Sequence, residues 1–504
     1  MKVLLTTIKS ESADTQTTLK YLYSILADAP IEVDVKEFPE KELLSEMYSD
    51  VIRGQYNMVY MHCDEYNEAR ISALSELIKK AAPTSVMMIG GLQVSYGTKE
   101  YMEENPWVDF VVRGEPEKVI FNFVKTMLTF EFDFEGIAGL AFRANDRIFI
   151  NPLDEPVAAE DLPFPYEKTA LDECSVVYYE TIRGCSDRST YSQHMQDARV
   201  RALSLNRVCT ELRYFLVKSV DRVIITDRYF NYDTERAYRI WEYIISNDNG
   251  HSSFVFDVNG DLLDDETIRM LKGAREGLFI FNIDVESTNA EVLSAVGRKE
   301  NIYQLFYNTS KLLQQTSVRV KLNLTLGLPY EDEQMFARSF NKTYGIGAQE
   351  ISITTLRMKK GIDLIQDADR FGYQYSSRSP YEVVANDYLH APDYIRIRDI
   401  ANLIEAYSCG GFNDSVQTLM HDTGYKPYDF FAKLAEFISA NGYEKQLRKK
   451  ENLYRVLYAF ASNTYDELND TLRMQIFAEA LHSDFEGSFP EETVKKFDRK
   501  GWEL

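Results

Sequence analysis

Cysteine is scarce. Five thiols are spread over 504 residues, at 63, 174, 185, 209 and 409, and no two stand at the short spacing of a zinc clamp or a redox pair. That argues against a disulfide framework and against a zinc ribbon, and the thiols read as free in a reducing compartment. Long apolar runs are missing too: nothing approaches the roughly 20 residues that a membrane-spanning helix needs. The opening Met1-Lys2-Val3-Leu4-Leu5 is too short an apolar stretch for a secretory leader, and no small-residue cleavage site follows it. The chain reads as cytoplasmic, with no membrane partner. Basic residues are in the minority. The 56 Lys and Arg face 79 Asp and Glu, a formal charge of −23, so a phosphate backbone would be repelled and nucleic acid is not an expected partner.

What is there is ordinary globular material, 45% hydrophobic and 27% charged, long enough for two or three domains. Apolar strands at 2–6, 31–38, 57–62, 85–89 and 108–112 alternate with helical patterns at 15–27, 40–53 and 68–82. Such alternation builds a parallel sheet with helices on both faces and ligands at the carboxyl ends of its strands. Glycines stand at two of those ends, in Gly90-Gly91-Leu92-Gln93-Val94-Ser95 and in Arg113-Gly114-Glu115, where they would let the backbone approach a bulky ligand. A hairpin pattern at 138–151 and the rigid Leu162-Pro163-Phe164-Pro165 form a connector. Strands at 176–179, 222–226, 253–258, 277–285, 318–326 and 350–356 then resume the alternation, six strand–helix units in all. Beyond 376 the alternation stops. Helical spacing at 394–406, 428–440, 451–461 and 468–481, rich in Tyr and Phe, reads as an aromatic-cored helical domain.

The loop after the strand at 176–179 carries the chemistry. It contains Arg183-Gly184-Cys185, then Ser189, Tyr191 and Ser192. This resembles the signature loop of the radical S-adenosylmethionine (SAM) enzymes, CxxxCxΦC with Φ aromatic. In that family three thiolates hold a [4Fe–4S] cluster whose open iron chelates SAM. Here Cys185 and Tyr191 are in place, while Ser189 and Ser192 stand at the second and third cysteine positions. A hydroxyl is far less acidic than a thiol, and its hard oxygen suits iron–sulfur chemistry poorly. Cys185 is thus the one surviving metal-ligand position, and the cluster is expected to be absent. Cys174, Cys209 and His194 do not supply a replacement set.

The resemblance extends over almost the whole chain, to the cobalamin-binding radical SAM proteins with a helical C-terminal domain of unknown function. It implies an α/β protein: a Rossmann-like cobalamin-binding domain at 1–130, a connector at 131–170, a partial (β/α)₆ barrel at 171–375 and a helical domain at 376–504. It further implies cobalamin at Gly90, Gly91, Gln93, Val94, Ser95, Gly114 and Glu115. SAM would lie at Tyr191, Asp227, Asn231, Glu286, Ser287, Gly327, Leu328 and Pro329. Many such domains place a cobalt-ligating histidine after the first strand. Residues 6–10 have none, and His62, between Tyr60 and Glu65, reads as a polar loop residue, so cobalamin is expected without a lower-face imidazole. Three readings of function follow. One is a transferase-like enzyme using SAM and cobalamin in polar group transfer, such as methylation of a small molecule or peptide. The second is a catalytically inactive relative acting as a scaffold. The third is a conventional enzyme in which two cysteines have been exchanged for serine.

Overall fold

The computed structural model describes every residue except 10–15, 131, 146, 170, 172–175, 186–188, 194–198, 409–410, 469, 501 and 503–504. Cys174, His194, Cys409 and the end of the loop after the first strand therefore lie outside the described residues. The chain divides into two units. The first holds Met1–Phe256 with Arg357–Ala368 and Tyr375–Glu382. The second holds Asp257–Leu356 with Asp369–Gln374 and Val383–Leu504.

The larger sheet of the first unit contains β1 (Lys2–Ile8), β2 (Glu32–Phe38), β3 (Met58–His62), β4 (Val86–Gly90), β5 (Phe110–Val112), β6 (Leu140–Ala144) and β7 (Arg147–Ile150). Its order is β2-β1-β3-β4-β5-β6-β7, parallel as far as β5 and antiparallel beyond it. Leu4, Val59, Met61, Met87 and Ile89 pack on one face, and Val3, Leu5, Tyr60, Met88 and Val112 on the other. Burial on both sides is why these strands read as continuous apolar runs rather than as alternations. The hairpin expected at 138–151 is β6–β7, and it extends this sheet by pairing Leu140 with Val112.

The first unit continues with β8 (Val176–Tyr179), β9 (Ile182–Arg183), β10 (Arg201–Ala202), β11 (Arg222–Ile225) and β12 (Ser253–Asp257). Strands β8, β11 and β12 are parallel neighbours, and β9 and β10 form a short antiparallel ribbon. In the second unit β13 (Phe279–Glu286), β14 (Arg319–Leu326) and β15 (Glu350–Thr355) lie parallel. All six strands expected in 171–375 are present, with helices Leu205–Val217, Thr234–Ser246, Ile302–Gln315 and Glu333–Tyr344 among their connections. Asp233, Asn301 and Asp332 cap three of these helices by accepting from the third amide onward.

The C-terminal region is helical, as expected, and its described residues form six α-helices where the pattern gave four: Ala391–Ser408, Asn413–Thr423, Pro427–Asn441, Lys450–Leu468, Thr471–Ser488 and Glu491–Lys500. Aromatics form its core, with Phe412 and Tyr454 ring centres 4.0 Å apart and Tyr454 and Phe485 4.9 Å apart. No helix among the described residues is long and apolar enough to cross a membrane. The helix expected at 40–53 begins at Leu44, because the residues after Pro39 turn back through Glu42 N to Pro39 O.

The edge of the first sheet depends on one glycine above the others. Gly91 has φ +114°, and a Cβ there would sit 2.2 Å from the Cys63 carbonyl oxygen. The chain's own β3 loop occupies that space. Gly91→Ala is expected to destabilise the protein by about 1–3 kcal/mol from the dihedral alone, with the steric overlap added, read as a fall in the urea midpoint.

Candidate functional site

At the carboxyl edge of the first sheet, Ser95 joins two strand ends. Its hydroxyl donates to Gly91 O at 2.9 Å and accepts from Gly114 N at 3.1 Å. Val94 is fully buried. Gln93 is buried as well, and its amide donates to Glu68 at 2.5 Å and to the Tyr381 hydroxyl. Lys360 reaches the other oxygen of Glu68 at 3.2 Å. His62 closes β3, and burial lowers its pKa to about 4, so its imidazole is neutral at ordinary pH. Beside Gly90 the space is taken by Tyr60. Gly114 differs: a Cβ there would meet nothing nearer than Leu153 Cδ2 at 3.5 Å. It lines a cavity of about 510 Å³ together with Arg113, Glu115, Lys118, Asn122 and Leu153.

The signature loop leaves β8 under the control of a buried carboxylate. Asp227, two residues past β11, accepts from Thr181 N at 2.7 Å, from Ile182 N at 3.0 Å and from the Thr181 hydroxyl. Burial raises its pKa to about 7 despite those donors. Arg236 donates to Thr181 O at 3.4 Å and to Leu203 O at 3.2 Å, closing the same turn. Asn231 is buried in the short turn Phe230–Tyr232. Cys185 and Ser189 are both buried. The Ser189 and Ser192 hydroxyls lie 2.5 Å apart, hydrogen-bonded to each other. Leu364 N donates to Thr190 O and Gln193 to Lys360 O, both at 2.8 Å, and Tyr191 is half-buried between them. Among the described residues no three His, Cys, Asp or Glu side chains are grouped to hold a metal ion. One thiol and two mutually bonded hydroxyls do not fit a [4Fe–4S] cluster.

In the second unit the strand ends are polar and strained. Glu286 closes β13 just past a bulge, with φ +61°, a region that non-glycine residues seldom occupy. Its carboxylate accepts from Thr325 Oγ1. Ser287 Oγ donates to Glu331 Oε1 at 2.6 Å, and Ser339 Oγ accepts from Thr288 N at 3.0 Å. Glu331 is fully buried, its Oε2 has no hydrogen-bond partner, and burial pushes its pKa up to about 8. Leu328 and Pro329 are buried in the turn after β14. Tyr373 Oη and Asn386 Nδ2 donate to Gly327 O at 2.8 and 3.2 Å.

The structure gathers Cys185, Ser189, Tyr191, Ser192, Asp227 and Asn231 around the ends of β8 and β11, and Glu286, Ser287 and Gly327 around the ends of β13 and β14. Glu331, Glu68 and Tyr381 were not foreseen. An acid two residues beyond Pro329, in a turn of otherwise apolar character, was the available signal for Glu331; Glu68 and Tyr381 had none, since they meet across 313 residues.

Asp227 and Glu331 hold their protons more tightly folded than unfolded. Their contribution to stability is complete below ordinary carboxyl values of 3.8 and 4.5, and is lost as pH rises to about 7 and about 8. Calorimetric scans across that window are expected to show Tm falling with pH, as the unfolding free energy drops by no more than about 1.4 kcal/mol per pH unit per group. Glu331→Gln should flatten the upper part of the slope.

Residues 179–342 match the radical SAM superfamily, and residues 369–501 match DUF4080, a protein family of unknown function. The cobalamin-dependent radical SAM methyltransferase TokK of Streptomyces tokunonensis is 23% identical over 318 residues, 58% of this chain and 44% of that protein. The 2-(S-pantetheinyl)-carbapenam-3-carboxylate methyltransferase of Streptantibioticus cattleyicolor is 21% identical over 313 residues, 58% of this chain and 46% of that one. The chain thus spans less than half the length of these curated relatives. Among solved structures, the cobalamin-dependent S-adenosylmethionine radical enzyme OxsB, with aqua-cobalamin and S-adenosylmethionine bound, aligns at TM-score 0.64 and 13% identity, over 96% of this chain and 84% of that one. The radical S-adenosylmethionine methyltransferase TsrM of Kitasatospora setae, with cobalamin and a [4Fe–4S] cluster bound, aligns at TM-score 0.61 and 15% identity, over 75% of this chain and 78% of that one. At such identities the likeness of structure concerns the fold. The chain carries a radical SAM domain followed by a DUF4080 domain and is homologous to cobalamin-dependent radical SAM methyltransferases.

Proposed function

We infer that this protein transfers a methyl group from SAM by a polar route, using cobalamin and no [4Fe–4S] cluster, onto a small-molecule or peptide acceptor. The observation that carries this reading is the donor set of the signature loop. Where a cluster would need three thiolates, the loop presents Cys185 and the mutually bonded pair Ser189 and Ser192. Polar strand ends are retained in both units: Asp227 and Asn231 beside that loop in the first, and Glu286 and Ser287 in the second. A methyl group leaving a sulfonium as an electrophile takes no electron from a cluster. Its bonding pair stays on sulfur, and the acceptor supplies the new pair. Cobalamin, when bound, supplies a reduced cobalt nucleophile suited to accept such a methyl.

The chain's own part is placement. Asp227 fixes the backbone of Thr181 and Ile182 and so sets where the Cys185 loop leaves β8. Glu286 and Ser287, steadied by Thr325 and Glu331, would orient the ribose and carboxylate of SAM. Gly114 opens the cavity that follows β5, and Ser95, buried behind it, holds the Gly114 amide in place. The described residues fit cobalamin in that respect: a cradle exists at Gly114 that a side chain would fill.

A scaffold role is the second reading. It is favoured by the way Asp227 and the two serines already satisfy partners within the protein.

Three measurements decide between these readings. Anaerobic reconstitution with iron and sulfide is expected to leave iron far below a cluster's complement, whereas the Ser189→Cys, Ser192→Cys double variant should gain a chromophore. Titration calorimetry should detect SAM binding, and Glu286→Gln should weaken it by about tenfold, about 1.4 kcal/mol. Hydroxocobalamin should remain bound through gel filtration. A wild-type protein that takes up a full cluster overturns the polar route, and one that binds no SAM leaves the scaffold.

A further inference from the structure

Within the first unit, the Arg113-Gly114-Glu115 strand end and the loop that carries Cys185 meet in one cluster of charge. Arg183, on β9 and two residues before Cys185, sits among three acids. Its Nη2 donates to Glu117 Oε1 at 2.6 Å, its Nε donates to Glu180 Oε2 at 2.9 Å, and its Nη1 lies 3.4 Å from Glu115 Oε2. Its guanidinium also lies 5.2 Å from the ring centre of Tyr21. Arg201 pairs with Arg183 across the β9–β10 ribbon and grips both oxygens of Glu115. Glu115 Oε2 accepts from Val157 N at 3.2 Å as well.

Charge and burial make this cluster rigid. Three carboxylates face two guanidiniums, leaving one net negative charge in a half-buried to buried setting. Burial opposes the charge on Arg183, but Glu117, Glu180 and Glu115 outweigh it and hold the guanidinium above its ordinary pKa. Glu117 is buried, its Oε2 lacks a partner, and its Oε1 meets Arg183. Removing either member therefore strands a buried charge. The ribbon leaves little slack: a Cβ on Gly184, between Arg183 and Cys185, would lie 2.1 Å from Arg199 O.

We propose that Arg183 is a positioning residue that locks the Cys185 loop to Glu115 and Glu117 at the start of the helix Pro116–Thr129 that follows β5, so that occupancy of the cavity at Gly114 sets the geometry of the loop after β8. The functional consequence rests on the SAM and cobalamin reading above; the lock itself does not.

Hydrogen exchange read by mass spectrometry on the peptide covering 180–193, without any ligand, tests the lock. Glu117→Gln and Arg183→Met are each expected to speed exchange there by about tenfold, with Arg183→Lys intermediate. The double variant should be no faster than the Arg183→Met single, because that variant already removes the pair that Glu117→Gln breaks and the double no longer leaves Glu117 charged without its partner. Unchanged exchange, or effects that multiply, overturn the proposal. Should Arg183→Met fail to fold, Glu117→Gln and Arg183→Lys carry the same comparison. In a second arm, SAM affinity is measured with and without hydroxocobalamin. The lock predicts at least about fivefold coupling in the wild type, falling to within about twofold of none in Glu117→Gln. Independent binding of the two in the wild type overturns the coupling. Absence of binding by either sinks the cofactor reading, and the exchange arm still decides the lock.

Discussion

Parallel strands buried on both faces leave their polar chemistry only one place to go. In the first sheet the inward positions of β1, β3 and β4 are mostly apolar, with Thr6 and Thr7 near the end of β1 bonded to the Lys36 and His62 carbonyls, so hydroxyls, amides and acids collect toward the carboxyl edge. There they must also satisfy one another, since a buried polar group without a partner is costly. Ser95 between Gly91 and Gly114, and Gln93 between Glu68 and Tyr381, are products of that constraint. In β8 and β11 the same constraint makes a single carboxylate, Asp227, answer for two backbone amides and a hydroxyl.

Much of this was legible in the chain because it is local. The strands around 58–62, 86–90, 176–179 and 319–326 are short apolar runs with glycine or polar stops, and they form where the pattern places them. The positions of Cys185, Asp227, Asn231, Glu286 and Gly327 followed from order along the sequence, one marker per strand end. What was not legible is pairing at a distance. Nothing near Glu117 announces Arg183, 66 residues on, and nothing near Gln93 announces Tyr381, 288 residues on. The helices Asn413–Thr423 and Glu491–Lys500 escaped for a different reason: each is short and carries few apolar residues, Val416, Leu419 and Met420 in the first and Val494 and Phe497 in the second, so a correct helical spacing rests on too few points to stand out.

The signature loop is moored by contacts that lie outside its cluster-ligand positions. Its entry is held by Asp227 and Arg236, and its far side by Leu364 and Lys360. None of these contacts uses a sulfur atom. A hydroxyl pair can therefore occupy the ligand positions without unmooring the backbone, and the hydrogen bond between Ser189 and Ser192 satisfies both where no metal would. Relatives with the same fold include a methyltransferase described with its cluster bound; the difference here lies in side chains, not in architecture.

Tyr373 and Asn386 belong to the stretch matching DUF4080, yet both place their donors on the carbonyl of Gly327, inside the stretch matching the radical SAM superfamily. The border between the two matched stretches therefore does not coincide with a seam in the hydrogen bonding. A chimera that grafts this barrel onto a foreign tail would strip that carbonyl of its donors unless the newcomer brought equivalents.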